Sequence, residues 1–313
     1  MSPRSSSAQR VLVTGGAGRL GRSVVRVLHD AGHDVISVDR VHDEGSPGEQ
    51  YVADLSDAAA TADLVGRIRP EIIVHLAAIA VPFSAPDAAM YATNTGLFFS
   101  VRDAALTAGV ARLLVASSPT VLGYGAPQGW SPHYLPLDEA HPRAPWNGYA
   151  MSKAATEDLV SMTARQHPAS LTIGAFRPCF VVAPEEWHGA VTQQGHTIAE
   201  RLDDPSLSVT ALFNYIDARD AGEFVHAWIT APADVVNGQT YIVGAGDSLV
   251  REPLGDVLAR VRPEWSELAS HLAPTASLFS SDRARADTGW RARRSWRTEF
   301  AADASATTHS ASR

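Results

Sequence analysis

Short, β-branched apolar runs alternate with longer stretches of helical period along most of the chain. The runs Arg10–Thr14, Asp34–Val38, Ile72–Leu76, Arg112–Ala116 and Leu171–Phe176 have few polar interruptions, as expected of strands buried on both faces of a parallel sheet. Between them, Leu20–Ala31, Asp57–Ile68, Asp87–Ala108 and Gly148–Gln166 read as helices. Strand–helix repetition of this kind predicts a doubly wound α/β sheet. After Pro178 the rhythm becomes irregular: helices are predicted at Thr197–Leu202, Ala218–Thr230 and Pro253–Val261, and a strand at Gln239–Val243. No internal repeat is found. The expected organisation is a nucleotide-binding domain over 10–180 that also receives parts of 206–245. A small substrate-binding cap follows over 181–300, and the polar stretches 1–9 and 301–313 are expected to be disordered tails.

Composition narrows the function classes. The chain has 313 residues, 45% hydrophobic and 19% charged, enough for a full core. A formal charge of −8 argues against general affinity for nucleic acid or anionic membrane. One cysteine, Cys179, excludes an internal disulfide framework, and no apolar run is long enough to span a bilayer. A cytoplasmic location is expected. Twelve histidines occur, yet none sits at zinc-ligand spacing with Cys or acidic partners, so no metal site is expected; His75, at a buried strand end, reads as a satisfied core residue. There is no G-x-S-x-G elbow for serine-hydrolase chemistry. The arginines at 283, 285, 291, 293, 294 and 297 read as a solvated final helix and turn.

The chemistry concentrates in two motifs. Thr14-Gly15-Gly16-Ala17-Gly18-Arg19-Leu20-Gly21 follows a strand and opens a helix, where glycines let a pyrophosphate approach the free N–H groups of the helix N-terminus. Gly16, Gly18 and Gly21 give G-x-G-x-x-G; Gly15, Gly18 and Gly21 give G-x-x-G-x-x-G; spacing does not choose between them. Asp39 closes the second strand eighteen positions after Gly21. A carboxylate there can accept from both adenosine ribose hydroxyls and repels a 2′-phosphate, which favours NAD over NADP. Arg19 and Arg40 pull the other way, as guanidinium groups able to hold a phosphate. The second motif, Tyr149-x-x-x-Lys153, puts a phenol and an ammonium on one helix face. The expectation is that the lysine charge lowers the phenol's pKa, so that Tyr149 exchanges a proton with substrate while hydride moves.

Taken in order, the glycine turn, Asp54-Leu55, His75-Leu76-Ala77-Ala78, Asn94-Thr95-Gly96, Ser117-Ser118, Tyr149-x-x-x-Lys153, Arg177-Pro178 and Tyr215-Ile216-Asp217 resemble the extended short-chain dehydrogenase/reductases, the NAD-dependent epimerase/dehydratase family. The resemblance spans roughly Arg10 to Trp290 and implies a Rossmann-type doubly wound parallel sheet with a small C-terminal cap. It implies Ser118, Tyr149 and Lys153 as the catalytic set. It implies cofactor contacts from Gly15, Gly18, Arg19, Leu20, Gly21, Asp39, Asp54, Leu55, Leu76, Ala77, Ala78, Asn94, Tyr149, Lys153 and Pro178. For Asp54 and Asn94 a purely structural capping role stands beside the cofactor role.

Departures from the family pattern shape the expected substrate. The acidic pair used by sugar-nucleotide dehydratases is replaced by Pro119 and Thr120, which argues against dehydration; the family's tyrosine in this turn is replaced by Leu122. Glu185 and Glu186 stand where a nucleotide diphosphate would want a neutral or basic surround. A compact polar, sugar-like substrate is therefore expected, oxidised or reduced in one hydride step, and the compact build is similar to that of the uronate dehydrogenases. Ser118, Thr120, Tyr149, Arg177, Trp187, His188 and Gln193 are the substrate candidates, the last four standing equally well as packing residues. The alternatives are a sugar or nucleotide-sugar epimerase using the same residues, and a non-catalytic NAD-binding sensor, which would need none of the triad. Leu159, Val160 and Met162 on the Gly148–Gln166 helix suggest a homodimer.

Overall fold

The computed structural model describes residues 8–300; the expected tails, apart from Ala8 and Gln9, lie outside them. In chain order the first half runs β1 (Arg10–Thr14), α1 (Arg19–Asp30), β2 (Asp34–Asp39), β3 (Glu49–Val52), α2 (Ala58–Ile68), β4 (Ile72–His75), α3 (Asp87–Ala108), β5 (Arg112–Ala116), α4 (Gly148–Gln166) and β6 (Thr172–Pro178). Then come β7 (Val181–Val182), α5 (Ile198–Asp203), β8 (Ile216–Asp217), α6 (Ala218–Thr230), α7 (Ala233–Val236), β9 (Thr240–Val243), α8 (Leu254–Val261), α9 (Ser266–Ala269) and α10 (Asp282–Thr288). Seven strands make one sheet in the order β3-β2-β1-β4-β5-β6-β9, all parallel.

The period-2 pattern of the strands explains this sheet. Val11 and Val13 point into one core with Val24, Leu28, Val74, Phe224 and Trp228, beneath α1 and α6. Leu12 points into the other with Ile73, Phe98, Leu113 and Val160, beneath α2, α3 and α4. Both faces are buried, so the strands carry no polar alternation. Strand order reverses between β1 and β4, and a crevice opens outside the carboxyl ends there, the usual ligand position of doubly wound sheets. Beyond it the cap residues Val182, Trp187, Ile198, Leu202, Tyr215, Leu249 and Trp296 form a separate small core.

The predicted elements recur within a residue or two. Three strands were missed: β3, an edge strand with no buried residue and thus no apolar run, and β7 and β8, of two residues each. Of the C-terminal arginines, Arg285, Arg291, Arg293 and Arg297 are exposed as expected, and Arg294 is an exception. Arg294 reaches the fully buried Asp220 and also Glu223, the backbone N–H groups of Arg293 and Arg294 donate to Asp220 at 2.8 and 2.7 Å, and Arg297 stacks on Trp296. The segment straps across α6. No helix among the described residues is long and apolar enough to cross a membrane.

Candidate active site

A cavity of about 1020 Å³ occupies the crevice at the switch point. Its floor is the β1–α1 turn. Gly15 sits at φ +74°, and a Cβ there would meet the Ala77 nitrogen at 2.7 Å; a Cβ on Gly21 would lie 2.0 Å from the Gly15 carbonyl. Gly15, Gly18 and Gly21 line the cavity, whereas Gly16 packs on Ser37. Of the two glycine readings, G-x-x-G-x-x-G is therefore the one that faces the crevice. Helix α1 starts at Arg19 after the N-cap Gly18, with no side-chain cap, so its first N–H groups have no side-chain acceptor. Asp39 closes this end, accepting from the Ala17 N–H at 3.1 Å and the Arg40 N–H at 2.6 Å.

The other end holds the predicted triad. Asn147 caps α4 by accepting from the Ala150 N–H at 2.9 Å, which puts Tyr149 in the first turn and Lys153 one turn along. Ser118 caps the short 3-10 turn after β5. Its Oγ accepts from the Thr120 N–H at 3.3 Å and the Thr120 hydroxyl at 2.9 Å, which leaves its own proton for Tyr149 or a ligand oxygen. Ser118, Tyr149 and Lys153 are all buried and all line the cavity.

Electrostatics depart from the expectation. Burial pushes the Tyr149 phenol above its ordinary value, and the opposing pull is a hydrogen bond with Ser118. The Lys153 Nζ donates to the Ala116 carbonyl at 2.8 Å and lies 5.8 Å from the Tyr149 ring centre. Burial depresses Lys153 itself to about 8, against the raising influence of Glu157 one turn further on. His75 is buried, bonds Thr14 Oγ1 at 2.7 Å and is pushed by burial to about 3, a neutral core histidine as expected.

All the expected cofactor residues line the cavity except Asn94. Asn94 is buried and ties α3 to the loop after β4, accepting from the Ile79 N–H at 2.8 Å and donating to Ser152 at 3.1 Å. Of the substrate candidates, Ser118, Thr120, Tyr149 and Gln193 line the cavity; Arg177, Trp187 and His188 do not. Arg177 is buried in a bidentate pair with Glu157, at 2.7 and 2.9 Å, which also accepts from Ser117 at 2.6 Å. Trp187 donates to the fully buried Asp217 at 2.7 Å inside the cap core. Both partners are distant in sequence, so no local signal marked these side chains as engaged. The acids expected to repel a diphosphate are engaged too: Glu185 pairs with Arg22 and Glu186 with Arg19. Sequence reasoning missed Tyr124, Trp146, Gln194 and Asn214 in the lining. Tyr124 was within reach: Leu122 is in the core, and two positions later a tyrosine faces the cavity.

A doubly wound sheet whose switch-point crevice joins a glycine turn to a serine, a tyrosine and a lysine defines a dinucleotide-dependent enzyme class. Residues 11–244 match the NAD dependent epimerase/dehydratase family, and the chain belongs to that family. It is 29% identical over 304 residues to UDP-glucose 4-epimerase of Mycolicibacterium smegmatis, covering 90% of this chain and 93% of that enzyme. It is 31% identical over 174 residues to UDP-glucose 4-epimerase of Azospirillum brasilense, covering 53% of this chain and 48% of that enzyme. Against several curated relatives the chain thus spans about half of their length. In fold it is similar to a short-chain dehydrogenase/reductase superfamily protein from Agrobacterium tumefaciens with bound NAD, at a TM-score of 0.70 and 23% identity over 96% of this chain and 97% of that one.

Proposed function

We propose that this chain is an oxidoreductase that binds NAD in the switch-point crevice and converts a hydroxyl or carbonyl of a compact, polar, sugar-like substrate. The observation that carries the reading is the convergence of Ser118, Tyr149 and Lys153 on the same cavity as the uncapped glycine turn. The fit to NAD rests on the turn, where added Cβ atoms would collide, and on Asp39, whose carboxylate suits a ribose diol. Arg19 is held by Glu186, which favours NAD over NADP. The nicotinamide, when bound, supplies or accepts the hydride. Ser118 hydrogen-bonds the reacting oxygen and orients it, keeping its own proton. Tyr149, a phenol at neutral pH, gives that oxygen its proton in reduction and takes it back in oxidation. Lys153, charged below about 8, adds the positive field that favours the phenolate.

Substrate size and charge follow from the lining. Its cations are Arg19 and Arg40 at the cofactor end and Lys153 at the centre, and the wall beyond Tyr149 offers Thr120, Gln193, Gln194, Thr210 and Asn214. A wall without cations suits a sugar better than a nucleotide diphosphate. A second reading, nucleotide-sugar epimerase, is favoured by the near full-length similarity to the M. smegmatis enzyme. Assay of the NAD-supplemented protein over sugars, lactols, polyols and UDP-glucose separates the two. Lasting accumulation of reduced cofactor with a small sugar supports the first; conversion of UDP-glucose with no net absorbance change overturns it in favour of the second.

A further inference from the structure

Behind the uncharged wall stands one buried cation. Arg201, on α5, is 1% exposed. Its guanidinium lies 4.7 Å over the Phe180 ring, and its Nη2 donates to the Gln194 side-chain carbonyl; Phe180 and Gln194 both line the cavity. Nη1 donates to the Leu207 carbonyl at 3.0 Å and reaches Ser208 at 3.5 Å, and Nε has no acceptor. Every partner is neutral.

That is unusual chemistry for this molecule. Arg177, Arg19, Arg219 and Arg294 each pair with a buried carboxylate. Arg112 also rests on carbonyls, but these belong to Trp228 and Ala231 at the carboxyl end of α6, where a cation is favoured by the helix dipole. The acids nearest Arg201 in sequence are committed elsewhere: Glu200 caps Thr197, Asp203 pairs with Arg251, and Asp204 caps Ser206. Burial lowers the Arg201 pKa, with no opposing charge to raise it. A guanidinium buried without a counter-charge is costly, and its planar fork matches a carboxylate or phosphate in two parallel hydrogen bonds. Gln194, an exposed residue, presents to it the neutral carbonyl that such an oxyanion would replace.

We propose that Arg201 is the recognition residue for a terminal oxyanion on the substrate, carboxylate or phosphate monoester, reached when Gln194 gives up its carbonyl contact. The inference deepens the reading of the site as a sugar oxidoreductase and rests on that reading for the sugar, but not for the anion. Calorimetric titration of the NAD-supplemented protein with glucuronate, glucose 6-phosphate and glucose tests it without requiring turnover. At least one anionic sugar should bind about tenfold or more tightly than glucose, the worth of a charge-assisted bidentate contact; which one does so separates carboxylate from phosphate. Gln194→Glu is the sharper variant, because it alters an exposed side chain and gives Arg201 an internal counter-ion. It should raise the Tm and erase the anion preference, leaving NAD affinity unchanged. Arg201→Met should erase the preference too, and Arg201→Lys should keep part of it. Equal binding of all three sugars, no binding of any, or a preference that survives Gln194→Glu overturns the proposal. An anion preference without cofactor reduction would keep this site while removing the oxidoreductase reading.

Discussion

At neutral pH the buried pair Tyr149 and Lys153 stands as phenol and ammonium, one pushed up by burial and the other pushed down to about 8. Burying that ammonium costs stability in full below its folded value, and the cost disappears as pH rises from about 8 to 10.5, where the unfolded chain would also lose its proton. Lys153→Met should therefore raise stability at pH 7 by about 1–3 kcal/mol, less whatever is lost with the hydrogen bond to Ala116. By pH 10 the gain should shrink; urea melts at the two pH values measure the difference, and a gain that is constant with pH would contradict the assignment. Residue by residue, the sequence singled out the three groups that meet in the crevice but not which other side chains are already occupied. The triad is local in sequence or part of a strand-end motif, so it was legible. Arg177 and Trp187 were not, because Glu157 and Asp217 reach them only through the fold.

At the scale of elements, two helical or turn glycines make opposite predictions. Gly66 lies inside α2 with no atom within 4 Å of its missing Cβ, so Gly66→Ala should stabilise the protein by about 1 kcal/mol in a thermal or urea melt. Gly21→Ala puts a methyl 2.0 Å from the Gly15 carbonyl. It should distort the turn, lower the Tm and weaken NAD binding together, whereas wild-type NAD affinity would show that the turn does not hold the cofactor. The strands and long helices were legible because burial on both sheet faces, or on one helix face, writes a period into the sequence. Edge strand β3 buries no residue, and β7 and β8, though mostly buried, are only two residues long, too short to leave one.

Across the whole molecule, the C-terminal strap closes the fold over α6 through one buried carboxylate. Asp220 accepts from Arg294 and from two backbone N–H groups, yet burial still raises its pKa. Arg294→Ala should cost about 2 kcal/mol in urea unfolding near neutral pH by leaving that charge short of its partner. The deficit should narrow in acid, as Asp220 takes up a proton and no longer needs the cation; a deficit that widens in acid would contradict this role. The strap thus depends on a long-range ion pair that composition reveals only as charge, which is why Arg294 read as part of a solvated face. By contrast, the crevice at the strand reversal followed from topology alone.

The central claim is that Tyr149 carries the proton between substrate and solvent-free site while the glycine turn holds the cofactor. Tyr149→Phe removes one hydroxyl and keeps the ring, so parallel assays of NAD affinity and of reduced-cofactor formation test it most directly. Turnover should fall by at least about 100-fold with NAD affinity within a few-fold of wild type. Turnover that survives the loss of that hydroxyl would contradict the account.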